Sequence, residues 1–268
     1  MCSSNIKRVL KLAAFDFDHT IIVHNSDTYI DKILFEKTTN NLNNKYPEEI
    51  EKKTELHGWT TRMNSVFEYM FSKFNIKGKD ILECLKEIKI DDSMVSLIKS
   101  LKENDYKLII LSDANSLFIE TILKENRLSD FFDTIYTNEA QIDSNERLVV
   151  KPLNETYNEN GEPFKCLTGL CTENICKGKI LNDYLGKHLG VNDVMELKHL
   201  IFIGDGRNDY CGGLCLNEKH HFCVRKNFNL AKLLAKKEHL VKNIKAEILY
   251  WDSAQDIIDN LTLIGSNQ

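Results

Sequence analysis

The chain has 268 residues, 42% of them hydrophobic and 28% charged, with a formal net charge of −5 at pH 7. That is enough apolar sequence to bury a full core in one large domain, or in one domain carrying an insertion. The mild negative charge supplies no field for nucleic acid or an anionic membrane, 3 Pro and 12 Gly exclude a linker-rich chain, and no apolar run reaches membrane-spanning length.

Met1 to Ala14 is basic and then apolar, but Lys11 interrupts the run, Asp16 ends it and no small-residue cleavage site follows. It is read as a leader before a buried strand, in a cytoplasmic protein. Leu10 to Phe17 is that strand, short, apolar and bounded by charges. The stretch from Thr28 to Lys89 is helical in pattern, as in Tyr29 to Lys37 and Met63 to Phe74, and is far longer than a simple crossover. It predicts an all-helical cap. Met94 to Asn104 and Ser116 to Glu125 read as helices on either side of a strand at Tyr106 to Leu111. Further strands are expected at Asp133 to Thr137, His199 to Ile203 and Phe222 to Val224, with a helix over Lys179 to Leu189. A polar excursion from about Asp143 to Cys176 has no assigned structure. Strands alternating with helices imply an α/β, Rossmann-like parallel sheet. The expected layout is a core of residues 1–27 and 90–268 with a cap, 28–89, inserted between the first two core strands.

The 8 Cys are scattered, and reduced thiols are the default without a secretory signal. Cys166, Cys171 and Cys176 are evenly spaced, but zinc sites favour tighter Cys-x2-Cys pairs and need a fourth ligand. Buried thiols are therefore expected there, with a metal or a disulfide as the alternative.

Open parallel sheets bind ligands beyond the carboxyl ends of their strands. Those ends carry Asp16 and Asp18, then Ser112 and Asp113, then Asp205 and Asp209. One such acid would be a helix cap; acids at three strand ends repel one another and call for a divalent cation, with carboxylate oxygens favouring magnesium. Alternation along Asp16-Phe17-Asp18 puts both carboxylates on one face and Phe17 in the core. That pair suits a nucleophile and a proton carrier, or else two metal ligands. Gly204-Asp205-Gly206-Arg207-Asn208-Asp209 is a tight loop rich in oxygen donors, without the distal Glu of an EF-hand. Ser112 is either the N-cap of the next helix or a donor to a phosphoryl oxygen. Lys177 and Lys179 open a helix and offer the cation that a phosphoryl group among acids would need.

The ordered set Asp16-Phe17-Asp18-His19-Thr20, Ser112, Lys177 and Gly204 to Asp209 resembles the haloacid dehalogenase superfamily of phosphohydrolases. Asn25-Ser26-Asp27, Leu111 to Asn115, Asn174-Ile175-Cys176-Lys177 and Gly204 to Cys211, with Gly58-Trp59-Thr60, Val66 to Tyr69 and Val224-Arg225-Lys226, look like the phosphoethanolamine/phosphocholine phosphatase family, which includes pyridoxal phosphate members. Departures are the wider cysteine spacing, Thr172 in place of a Pro, and Gly212 in place of another.

The resemblance implies a magnesium-dependent phosphomonoesterase working through an aspartyl-phosphate on Asp16, with Asp18 as proton carrier. Ser112 and Lys177 would bind the phosphoryl oxygens, Lys179 being the runner-up for the latter. Magnesium would be held by Asp16, the backbone carbonyl of Asp18, and Asp205. Thr20 would steady the turn, and Asp209 would orient metal-bound water or Lys177, with Asn208 a weaker candidate. Asp27 and Asp113 would favour a cationic head group on a small-molecule phosphomonoester. Trp59, Phe67 or Tyr69 would pack on it or, as the preferred reading, form the cap core. A phosphotransferase or phosphomutase on the same scaffold, and a non-catalytic metal-binding protein, are the competing classes. Neither a nucleic-acid partner nor membrane insertion is expected.

Overall fold

Leu12, Ala13, Ala14 and Phe15 are fully buried, as a strand covered on both faces must be. In the computed structural model, which describes residues 10–37, 46–53, 58–153, 166–172, 174–191 and 194–265, they form β1 (Lys11–Phe15). The leader expected over residues 1–9 lies outside the described residues. The other strands are β2 (Tyr106–Asn115), β3 (Thr134–Ile142), β4 (Leu148–Lys151), β5 (His199–Gly204), β6 (His221–Arg225) and β7 (Glu247–Trp251). They form one sheet in the order β4-β3-β2-β1-β5-β6-β7. All neighbours are parallel except the β3–β4 hairpin.

Alternation in the central strands builds two cores. Ala13, Phe15, Leu108, Ile110, Ile201 and Ile203 face one side. Leu12, Ala14, Ile109, Leu111, Leu200 and Phe202 face the other. The first core is covered by α6 (Asp92–Glu103), α7 (Ser116–Glu125) and α12 (Ala254–Gly265). The second is covered by α8 (Lys177–Leu189), α9 (Tyr210–Gly213), α10 (Asn229–Lys236) and α11 (Glu238–Asn243). This is the expected α/β parallel sheet, with β7 and β4 added at its two edges.

Between β1 and α6 the described elements are all helical: α1 (Ser26–Tyr29), α2 (Asp31–Lys37), α3 (Glu48–Glu51), α4 (Trp59–Phe74) and α5 (Gly78–Leu85). Their apolar faces join the first core. Val66, Phe67 and Met70 of α4 belong to the same buried cluster, and Phe67 meets Phe118 of α7 edge-on at 6.0 Å. The start of the polar excursion after Asp143 is the hairpin strand β4, docked against these helices. Asn64 of α4 donates to the Val150 carbonyl and accepts from the Val150 N–H, both at 2.8 Å. One side-chain amide thus satisfies backbone groups on an edge strand. The Gly78 N–H bonds the Glu146 carbonyl at 2.8 Å. Residues 154–165 of the excursion lie outside the described residues. Among the described residues no helix is long and apolar enough to cross a membrane.

Candidate active site

β1 stops at Phe15 because the chain turns there. Asp16 and Asp18 keep extended backbone angles (φ −71, ψ 167 and φ −66, ψ 137), while His19 adopts φ 55. A wide turn closes when the Ile22 N–H bonds the Phe17 carbonyl at 3.1 Å. Phe17 is fully buried beneath it. The turn is braced from outside: the His19 ring nitrogen meets the Val23 carbonyl at 3.0 Å, and Arg225, at the end of β6, donates to the His19 carbonyl. Arg225 is itself held over the rings of Phe228 and Trp251.

The centre of the site is an ion triad. Lys177, with no exposed surface, donates to Asp16 Oδ1 at 2.7 Å and to Asp209 Oδ1 at 2.6 Å. Burial alone would lower the lysine pKa; Asp16 and Asp209 outweigh it and hold the ammonium charged. The other oxygen of Asp209 accepts from the N–H groups of Asp205 (2.9 Å) and Gly206 (2.7 Å). Gly204 permits this turn, because a Cβ there would sit 2.4 Å from the Asp209 carboxylate. Lys179, the runner-up, is exposed and pairs with Asp183. The first residue of α8 thus lies inward and the third outward.

Oxygens of Asp16, Asp205 and Asp209 lie within 4.8 Å of one another, and all three residues are buried. Burial and neighbouring acids push Asp16 up to about 6, and Asp205 and Asp209 up to about 7, although Lys177 opposes the shift in each. One lysine leaves negative charge uncompensated, and the donors are hard oxygens, so the cluster fits a hard divalent cation. Thr20 Oγ1 reaches Asp205 at 3.4 Å. Asn208 is half-buried beside Gly206, and its carbonyl faces the Cys171 thiol at 3.9 Å.

The Asp18 carboxylate stands apart from this cluster. It accepts from the Ser26 N–H at 3.0 Å and the Ser26 hydroxyl at 3.2 Å. Burial and then the Asp27 charge push its pKa well above the ordinary value. Asp27 accepts from the Trp59 indole N–H at 2.6 Å, and burial raises it to about 6. Asp113 is raised by burial and held by Thr172 (2.9 Å) and Asn174 (2.8 Å) from the segment before α8. Asp113 in turn raises Asp27, as Asp27 raises Asp18, so the three acids reinforce one another's protonated forms.

Ser112 is 1% exposed and accepts from the Ala114 N–H at 3.1 Å. It does not cap the next helix: Asn115 does, accepting from the Phe118 N–H at 3.1 Å. β2 runs past the expected Leu111 to Asn115, with a register shift against β3 that covers Ser112. Phe67 and Tyr69 are packing residues of the helical layer, and Arg62 lies over the Trp59 ring at 4.9 Å. Arg62 and Thr172 also line the site, although their sequence context gives no chemical signal. Ser26, Asn174, Arg225 and Trp59 stand in stretches singled out only by the family resemblance.

The family model described as Putative Phosphatase matches residues 11–264. The chain is 30% identical over 255 residues to the pyridoxal phosphate phosphatase PHOSPHO2 of Mus musculus, covering 94% of this chain and 98% of that protein. It is 33% identical over 248 residues to a thiamine phosphate phosphatase-like protein of Arabidopsis thaliana, covering 90% of each. The fold is similar to that of phosphoserine phosphatase from T. onnurineus, with a TM-score of 0.54 and 12% identity over 96% of this chain and 97% of that one. With the aspartates at three strand ends and a buried lysine joining two of them, these matches place the chain in the Putative Phosphatase family.

Proposed function

We propose that the protein is a magnesium-dependent phosphomonoesterase for small amine-bearing phosphate esters, with Asp16 as its nucleophile. The observation that carries this is the buried Lys177 ammonium bridging Asp16 and Asp209. An ammonium at the nucleophile leaves one carboxylate oxygen oriented and sits where charge spreads as phosphorus is attacked. The Asp16 oxygen attacks phosphorus and the bond to the leaving alcohol breaks. Asp18, whose burial favours the protonated form, gives that alcohol its proton. Water then attacks the aspartyl-phosphate, Asp18 takes up its proton, and phosphate leaves Asp16. Ser112 and Lys177 bind the phosphoryl oxygens, and Asp209 orients Lys177. Asp16, Asp205 and the Asp18 carbonyl would hold magnesium, which neutralises phosphoryl charge when bound. Thr20 and Asn208 support the loops. Residues 28–89 serve as the cap over a core of 1–27 and 90–268.

Asp27 and Asp113 give the far end of the site a negative character suited to a cation. Relatives named for pyridoxal phosphate and thiamine phosphate, both nitrogen-ring esters, support that class. Phosphoethanolamine and phosphocholine belong to it as well. The test is phosphate release from a panel of amine-bearing and amine-free monoesters with and without magnesium. Magnesium-dependent release favouring the amine-bearing esters is expected, and it must disappear in Asp16→Asn. Activity surviving that substitution would overturn the assignment, and phosphate passed to an added alcohol would identify a transferase.

A further inference from the structure

The evenly spaced cysteines acquire a fourth partner in the fold. Cys211 lies on α9, two residues beyond Asp209, and its thiol meets Cys166 Sγ at 3.3 Å. The sulfurs of Cys166, Cys171, Cys176 and Cys211 all lie within 4.8 Å of one another. We propose that these four cysteines form a tetrathiolate zinc site that fastens the segment 166–176 to α9. The inference does not rest on the phosphatase reading.

Four thiols meeting at one point need a reason. A disulfide would use two of them at about 2.05 Å and leave the other two packed against it; the cysteines here are free. A zinc ion bound at about 2.3 Å places its sulfurs about 3.8 Å apart, so the observed cluster needs only small adjustments. Soft thiolates in fourfold array select zinc over the hard cation suited to the carboxylates next door.

The surrounding groups suit thiolates. The backbone N–H groups of Cys171 and Thr168 bond Cys166, and that of Lys179 bonds Cys176, which occupies the N-cap of α8. Thr168 Oγ1 lies 3.1 Å from Cys166 Sγ and 3.0 Å from Cys211 Sγ. Such donors orient and stabilise metal-bound sulfur. The chain reverses tightly after Cys166: the Gly169 N–H bonds the Cys166 carbonyl at 3.1 Å and Gly169 adopts φ 64. That reversal turns Cys171 back toward Cys166. The fourth ligand arrives because α8 and α9 touch closely; a Cβ on Gly178 would lie 2.5 Å from the Cys211 carbonyl.

The site would also have structural work. Thr172 and Asn174, which hold Asp113, lie between the second and third cysteines, and Lys177 follows the third directly. Fixing the cysteines fixes the segment that positions these groups.

The test is elemental analysis of the purified full chain after dialysis against EDTA. Close to one zinc per chain is expected, released by a mercurial thiol reagent. Cobalt loaded in its place should give the intense thiolate charge-transfer and tetrahedral visible bands. Cys166→Ser and Cys171→Ser should lose most of the zinc, and Cys84→Ser on α5 should keep it. The cobalt spectrum of the unmutated chain decides the matter even if the serine variants fail to fold. A chain without tightly held metal overturns the proposal, as does iron in place of zinc, or a mass showing a disulfide among the four.

Discussion

Replacing Lys177 with Met keeps most of the side-chain volume and removes one buried charge from the centre of the site. The ammonium has no exposed surface and contacts Asp16 at 2.7 Å and Asp209 at 2.6 Å. Without it, two buried carboxylates lose their cation, and Asp205 crowds the same space. Removing one member of a buried ion pair costs about 3–5 kcal/mol, because the partner charge stays desolvated. At roughly 2–4 °C per kcal/mol for a chain of this size, the melting temperature should fall on the order of 10 °C. Turnover should fall by about a hundredfold to a thousandfold, the usual effect of losing one preorganised donor to a transition state. The control is Lys179→Met, which removes an exposed pair with Asp183 worth about 1 kcal/mol or less and should leave turnover unchanged. Thermal melts and steady-state phosphate release on both variants decide the point. If Lys177→Met melts within a degree or two of the parent and keeps its turnover, the triad is not the organising element of the site.

Trp59→Phe keeps a ring beneath Arg62 but removes the indole N–H that reaches Asp27 at 2.6 Å. KM for amine-bearing esters should rise with little change in kcat, and an equal loss on amine-free esters would refute a head-group role for Asp27. Asn64→Leu removes both hydrogen bonds to Val150 and should cost about 1–3 kcal/mol of stability, read as a lower urea midpoint; an unchanged midpoint would show that β4 does not depend on α4. Burial and His221 push His199 and His220 down to about 4. Their native pKa values lie below the unfolded value near 6.5, so the unfolded chain binds more protons and stability falls as pH drops from about 6.5 to 4. His220, with no exposed surface, should contribute a loss on the order of 3 kcal/mol by pH 4. Urea unfolding of His220→Gln across that window should show a shallower decline than the parent, and an identical slope would refute this origin.

What was legible in the sequence was local. The helix over Ser116 to Glu125 and the strand over Tyr106 to Leu111 carry their apolar periods on their face, and the structure has both, with β2 running further. The edge strands were not legible. β4 has four residues and gains its order from the hairpin and from Asn64, far off in the chain. β7 mixes exposed Glu247 and Tyr250 with half-buried Ile248 and Leu249, which blurs the apolar run expected of an inner strand. Within the site, the acids stood out because three strand ends carried them. The choice between Lys177 and Lys179 depends on which face of α8 meets the sheet. Arg225 acts only because β6 lies beside β5, which brings it to the His19 carbonyl.

The contact between α8 and α9 sets more than helix packing. Gly178 and Cys211 approach so closely that a single methyl group on Gly178 would meet the Cys211 backbone. Gly212 next to it lies against the Phe202 ring, where a Cβ would sit 2.2 Å away. Two glycines therefore press α9 onto both α8 and β5. Lys177 precedes Gly178, and Asp209 comes two residues before Cys211, so the approach that joins the lysine to its aspartate also joins the Cys176 and Cys211 thiols. Any side chain that wedged these helices apart would lengthen the Lys177–Asp209 pair and open the thiol cluster in the same movement. The oxygen-lined and sulfur-lined clusters are thus two consequences of one helix contact, which is why the geometry of the carboxylate cluster depends on residues that carry no chemistry of their own.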